Sequence, residues 1–282
     1  MLERLMIAVG SFVVCLPLAV AAIVVGRRAG LLDVPTVIKP HARPIPYTGG
    51  AAIALVIFAT AIGAGQFPLA FVGVGVWLIG FVDDVRPLPP AAKLLLEGFL
   101  LLLWAIAQPF ALPELMLVVA TGVVLMNAFN VIDGLDGLAA GCALPPLVVV
   151  ATLDGSGGLI AAAAAGSVAG FLVFNRPPAR VFLGDEGSLV LGFLLWALPL
   201  IAGMRFATPK GALLWTLLWL FPFVNAAFVV AYRLRIGRPI MVGDRSHLYD
   251  FWRKRSGLRM TLLACWSIAA LGAAGAFLAR GL

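Results

Sequence analysis

Ten apolar runs, each close to the roughly 20 residues that a membrane-crossing helix needs, divide this 282-residue chain. They cover residues 5 to 26, 48 to 66, 67 to 82, 93 to 112, 114 to 130, 138 to 153, 158 to 174, 187 to 204, 211 to 232 and 259 to 279. Residues are 62% hydrophobic and 12% charged, whereas a soluble domain carries about a quarter charged residues. The expected fold is therefore all-α: a polytopic membrane protein of about ten transmembrane helices, with residues 1–282 as one integral-membrane domain. Short breaks at Gly-Gln-Phe-Pro and Gln-Pro-Phe make hairpins of 48 to 82 and 93 to 130. The first run is long for a signal-peptide core and reads as the first span. Cys15, Cys142 and Cys265 lie in apolar runs at no metal-ligand spacing, so they read as core residues without a disulfide framework.

With ten spans, alternate connections share one membrane side: 27 to 47, 83 to 93, 131 to 137, 175 to 186 and 233 to 259. That side holds 16 of the 20 Lys and Arg residues, and only Arg4, Arg205, Lys210 and Arg280 fall opposite. The positive-inside rule makes it cytoplasmic, with both termini outside. The net charge of +7 thus reports topology, and no nucleic-acid partner is expected. Asp83, Asp84, Asp133, Asp136, Asp185, Asp244, His41 and His247 all fall on or beside the same connections. Five of these acids, 83, 84, 133, 136 and 185, would cost on the order of 12 to 17 kcal/mol if left against lipid, so a site that uses them is the cheaper arrangement.

Residues 126 to 141 set Asn127, Asn130, Asp133 and Asp136 three positions apart, a spacing that lines one helix edge. Such an edge faces a cavity filled by water, a cation or a ligand, or else forms a polar helix-end loop capping the next helix. Asp83 and Asp84 end a span, where a shared Mg²⁺ or phosphate-bound cation would relieve their repulsion; hydrated helix-terminal acids are the alternative. Lys93, a turn into the next span, can snorkel or meet a phosphate.

The run Gly184-Asp185-Glu186-Gly187-Ser188 places a carboxylate and free N–H groups at a helix start, which suits a hard metal ion bridging to a diphosphate, or a plain capping turn. Lys39, His41 and Arg43 in a proline-stiffened connection, followed by Gly49-Gly50 at another helix start, either offer groups to an anion or form a stiff loop carrying positive-inside charges. The longest basic connection centres on Arg245 and His247, and it either recognises an anionic substrate or meets anionic lipid head groups.

These residues resemble the polyprenyl-phosphate N-acetylhexosamine-1-phosphate transferases of glycosyltransferase family 4. The resemblance covers most of the chain. It rests on Asp83-Asp84 with the following Lys-Leu-Leu-Leu, on Asn127-x-x-Asn130-x-x-Asp133-Gly-x-Asp136-Gly-Leu, on Asn175 with Pro-Pro-Ala and Phe-Leu-Gly-Asp185-x-Gly-Ser, and on a His-bearing loop before the last span. It implies a ten- or eleven-helix bacterial inner-membrane enzyme with a cytoplasmic active site. Such an enzyme transfers a sugar 1-phosphate from a UDP-sugar to undecaprenyl phosphate and releases UMP, using Mg²⁺ or Mn²⁺. By resemblance Asp185 is the leading metal ligand, with Asn130 or Asn127 near the same site. Asp83 and Asp84 would position or deprotonate the prenyl phosphate, and Asp133, Asp136 and Asn175 would meet the nucleotide-sugar. Asp83, Asp84, Asp185 and His247 are thus the candidate catalytic residues; Lys93, Asn127, Asp133, Asp136, Asn175, Arg245 and His41 are the candidate substrate contacts.

Relatives carry several histidines in the last loop, where this chain has only His247. That variant resembles the branch that initiates O-antigen with N-acetylated or deoxy amino sugars, rather than the peptidoglycan branch. The expected partners are a UDP-sugar, undecaprenyl phosphate and the bilayer, with a second copy of the chain as a further candidate. Two other classes compete: a secondary transporter or cation channel with acids along its path, and a lipid-binding scaffold without activity.

Overall fold

The computed structural model describes residues 1–35, 43–205, 208–239 and 245–280. The apolar runs appear in order as helices: α1 (Leu2–Ala29), α2 (Gly49–Gly63), α3 (Phe67–Val85), α4 (Pro90–Ile106), α5 (Leu112–Val131), α6 (Leu138–Val150), α7 (Gly155–Asn175), α8 (Gly184–Ile201), α9 (Pro209–Leu218), α10 (Leu220–Arg235) and α11 (Leu248–Ala279). Proline in the first turn starts α3, α4, α5 and α9, where its missing N–H costs nothing. Gly30, left-handed at φ 70°, closes α1 as a C-terminal cap.

The chain is a multi-pass membrane protein. Helices α1, α3, α5, α7, α8 and α11 are long and apolar enough to cross a membrane, and α9 with α10 makes a seventh span if the pair, bent by 79°, is counted as one. Helices α2, α4 and α6 have 15, 17 and 13 residues, so the ten full-length spans expected from hydropathy are not reached by length. The run expected at 211 to 232 is divided at Trp219. The run expected to begin at 259 starts just past Gly257, whose φ of 76° and ψ of 171° kink α11.

Helices α7 and α8 form the centre, buried along most of their length, while α1 and α5 turn most of their apolar residues outward. Helix α1 packs on α7, where Gly166 and Gly170 admit the backbone of Ala8 and Phe12. Helix α8 packs against α2, α3 and α5. Trp104, Phe193 and Trp196 fill the α4 to α8 contact. The three cysteines are buried and free, as expected of core residues.

Between α1 and α2 the chain forms a small antiparallel pair that hydropathy did not indicate: β1 (Leu32–Asp33) and β2 (Ile45–Pro46), with Leu32 opposite Pro46 and Asp33 opposite Ile45. The Phe182 N–H donates to the Pro46 carbonyl at 2.8 Å and ties this hairpin to the segment before α8. The ends of α3, α5 and α7 and the starts of α4, α6, α8 and α11 thereby share one end of the bundle.

Candidate active site

A cavity of about 640 Å³ opens at that shared end, within the size range of small-molecule sites. Its lining includes Asp84, Asp133, Asp136, Asn175, Asp185, Arg245 and His247, which come from four of the five connections expected on one side. Asp83, Lys93 and Asn130 stand behind the lining and join it through Asp185. His41, with Lys39 and Asp244, lies outside the described residues.

Lys93 is nearly buried, and its Nζ lies 2.7 Å from both Asp83 Oδ2 and Asp185 Oδ2. One ammonium thus holds carboxylates from α3 and α8 together. The other Asp83 oxygen accepts from the Leu88 N–H at 2.6 Å. Its neighbour turns elsewhere: Asp84 Oδ2 accepts from the Glu186 N–H at 3.1 Å and caps the start of α8. The two adjacent carboxylates thus turn to different partners, Asp83 to Lys93 and Asp84 to the start of α8.

This cap takes up the Glu186 N–H, one of the groups expected to be free at the start of α8. The same holds for Gly49-Gly50: the Gly49 and Gly50 N–H groups donate to the carbonyls of Phe182 and Leu183 at 3.0 Å each, and the Ala51 N–H donates to Glu186 Oε1 at 3.0 Å. That helix start is spent on internal contacts and offers no cradle for a phosphate.

Asn130 Nδ2 donates to Ser188 Oγ at 2.8 Å, and that hydroxyl donates to the Asp185 carbonyl at 3.3 Å. Asn127 serves a different neighbour, donating to Glu97 Oε2 and to the Val123 carbonyl. Asn175 is buried, and its amide is taken up by the fold: Oδ1 accepts from the Gly137 N–H at 2.9 Å, and Nδ2 donates to the Val181 carbonyl at 2.9 Å. Asp136 Oδ2 accepts from the Ala179 N–H at 2.9 Å. Asn175 and Asp136 thus clamp the 131 to 137 loop to the loop before α8.

Arg245 Nη1 donates to the Gly134 carbonyl at 3.1 Å. His247 opens α11, where its N–H donates to Asp250 Oδ2 at 3.3 Å. Its ring stacks nearly parallel on Tyr249 at 5.1 Å, and Tyr249 Oη donates to the Val131 carbonyl at 3.2 Å. The last basic connection is therefore fastened to the acidic loop.

Three site neighbours escaped the sequence reading. Glu97 is fully buried four residues after Lys93, a helical i,i+4 spacing that could have exposed it. Glu186 is fully buried beside Asp185, where the neighbouring motif hid it. Tyr47 lines the cavity from the hairpin; burial, then the carboxylates of Asp84, Glu186 and Asp33, push its phenol above the ordinary value.

Asp84 and Asp185 line the cavity with Asp83 and Asn130 behind them, and their ligating atoms are all oxygens, a donor set suited to a hard divalent cation. Among the described residues no three His, Cys, Asp or Glu side chains converge as a metal group. Mg²⁺ sites need no such cage, because one or two carboxylates suffice when substrate phosphates complete the shell.

A family model described as glycosyl transferase family 4 matches residues 66–203. The chain is 29% identical over 277 residues to a probable undecaprenyl-phosphate N-acetylglucosaminyl 1-phosphate transferase of Bacillus subtilis, covering 88% of this chain and 77% of the relative. It is 29% identical over 249 residues to an undecaprenyl-phosphate alpha-N-acetylglucosaminyl 1-phosphate transferase of Thermotoga maritima, covering 85% and 79%. A phospho-N-acetylmuramoyl-pentapeptide-transferase of a Synechococcus strain is 40% identical over 169 residues, covering 48% of this chain and 47% of its own length.

Proposed function

We propose, from the premise that this chain belongs to glycosyl transferase family 4, that it transfers a sugar 1-phosphate from a UDP-sugar to undecaprenyl phosphate. A prenyl phosphate oxygen attacks the β-phosphorus of the UDP-sugar. The bond from that phosphorus to the bridging oxygen breaks, and UMP leaves with the electron pair. Positioning and charge neutralisation do most of the work in such a transfer.

The observation that carries this reading is the assembly of Asp84, Asp133, Asp136 and Asp185 with Arg245 and His247 around one cavity at the end of an apolar bundle. A water-soluble nucleotide-sugar can enter there while a lipid tail stays beside the helices. Lys93 sets the spacing of Asp83 and Asp185. Asp83, behind the lining, acts on the incoming prenyl phosphate through Lys93 and Asp185, while Asp133 and Asp136 face the nucleotide-sugar, and Arg245 and His247 meet phosphate or sugar oxygens. Asp84 and Asn175 support the walls through the backbone contacts described above. Mg²⁺ or Mn²⁺, when bound at Asp185 and Asn130, supplies charge neutralisation for the diphosphate.

The excess of Lys and Arg on the connections bearing the site supports a cytoplasmic face in a bacterial inner membrane. The acids gather at one end instead of along a path, and the relatives are transferases, so the transporter or channel reading is set aside. Purified protein given UDP-N-acetylglucosamine, undecaprenyl phosphate and Mg²⁺ should release UMP, and Asp185→Asn should release none. Metal-dependent release that survives Asp185→Asn would count against the assignment of Asp185.

A further inference from the structure

The geometry points to Glu186 as a positioning residue that turns Asp185 into the cavity by capping the first turn of α2. This inference rests on the transferase reading and names a part of its machinery that the Asp185 motif conceals. A helix start leaves N–H groups to be satisfied, and the residue before the helix commonly supplies an oxygen. Thr48 stands at that place before α2, but its hydroxyl donates to the Ala22 carbonyl at 2.8 Å instead. The three N–H groups of Gly49, Gly50 and Ala51 turn to the start of α8, and the third ends on Glu186 Oε1 at 3.0 Å.

Glu186 has no access to solvent, so this is a buried bond between two helices. Its own N–H is held by Asp84 Oδ2 at 3.1 Å from α3. The backbone around Glu186 also lies against Gly80, and Gly187 lies against Gly50, where a methyl group on either partner would collide. Residue 186 is thus fixed through its side chain by α2, through its N–H by α3, and by glycine contacts on both sides. Successive residues in a helix point about 100° apart, so pinning Glu186 toward α2 sets the direction of Asp185. Asp185 in turn reaches the cavity and Lys93.

What the contact requires of residue 186 is an acceptor of glutamate length. Glutamine keeps that oxygen and alanine removes it. Ala51→Pro deletes the donor from the other side, at a first-turn position that tolerates proline. On this account Glu186→Ala lowers kcat for UMP release by about tenfold to a hundredfold while the KM for UDP-N-acetylglucosamine moves by less than about threefold, as expected of misplaced chemistry. Glu186→Gln stays within about threefold of the wild type, Ala51→Pro reproduces the alanine loss, and the double variant is no worse than either single one.

Hydrogen exchange at residues 47–55 supplies the second readout: faster in Glu186→Ala, and unchanged in Glu186→Gln. A Glu186→Ala protein with wild-type kcat, a Glu186→Gln protein as impaired as Glu186→Ala, or exchange that ignores the alanine substitution would overturn the proposal. Absence of UMP release from the wild-type protein would instead strike the transferase reading, so the two failures are told apart.

Discussion

Lys93 and Asp185 stand 92 positions apart in the chain, and the ammonium of one lies 2.7 Å from a carboxylate oxygen of the other. The same ammonium lies 2.7 Å from Asp83, so a residue that hydropathy places at a helix edge is the joint between α3, α4 and α8. Two carboxylates share one cation, and neither is balanced without it.

Lys93→Met should therefore cost stability as well as activity. Removing one member of a buried ionic cluster costs about 3 kcal/mol, because the remaining charges lose their counter-ion. Thermal unfolding in detergent should show a clear drop in midpoint, and UMP release should fall by about a hundredfold or more. An unchanged midpoint would show that the cation does not hold these helices together.

Asn175→Ala separates a scaffold role from a substrate contact. The substitution leaves the Gly137 N–H and the Val181 carbonyl without their partner in a buried place, which costs about 1–3 kcal/mol. A lowered unfolding midpoint, with a KM for the UDP-sugar close to wild type in the protein that remains folded, is expected. Full stability with a raised KM would make Asn175 a ligand contact instead.

Gly80→Ala tests the packing of α3 on α8. The added methyl meets the backbone of Glu186, and overpacking of this kind costs about 1–3 kcal/mol. Thermal unfolding should register the loss, and kcat should fall with it because the start of α8 must shift. A variant as stable and active as the wild type would mean that α8 can move without disturbing Asp185.

Much of this arrangement was legible in the amino-acid order. The runs of apolar residues located the helices apart from the division of 211 to 232, but the three-residue spacing from Asn127 to Asp136 does not form one helix edge. Helix α5 ends at Val131, Asn127 and Asn130 stay behind the cavity, and only Asp133 and Asp136, in the loop that follows, line it. The division of labour was not legible, because it depends on contacts across helices. Nothing in the adjacency of Asp83 and Asp84 says that one turns to Lys93 and the other to the N–H of Glu186. Gly49 and Gly50 look like an anion cradle until α8 is seen to occupy it. Glu97 carries one sequence signal, its i,i+4 spacing from Lys93, whereas Glu186 carries none until its partner, the Ala51 N–H, is in place. The break at Trp219 has no local signal either, since residues 211 to 232 read as one continuous run.

Tyr47 gives a prediction in pH. Its phenol is pushed above its ordinary value of 10.0, first by burial and then by neighbouring carboxylates. The unfolded chain releases this proton first, so the contribution is neutral below about pH 10, and stability falls as pH rises from there toward the folded value. Difference absorbance at 295 nm between wild type and Tyr47→Phe should give a titration midpoint above 10. A midpoint at or below 10 would place Tyr47 in water, away from Asp84.

The most direct test of the transferase reading follows one phosphorus atom. UDP-N-acetylglucosamine labelled with ³²P at the β-phosphate is supplied with undecaprenyl phosphate, Mg²⁺ and the purified protein. The label should pass into the organic-soluble lipid in step with UMP release, and Asp185→Asn should leave it in the nucleotide-sugar. Label that stays water-soluble while wild-type protein and both substrates are present, or that appears as free phosphate, would contradict the account.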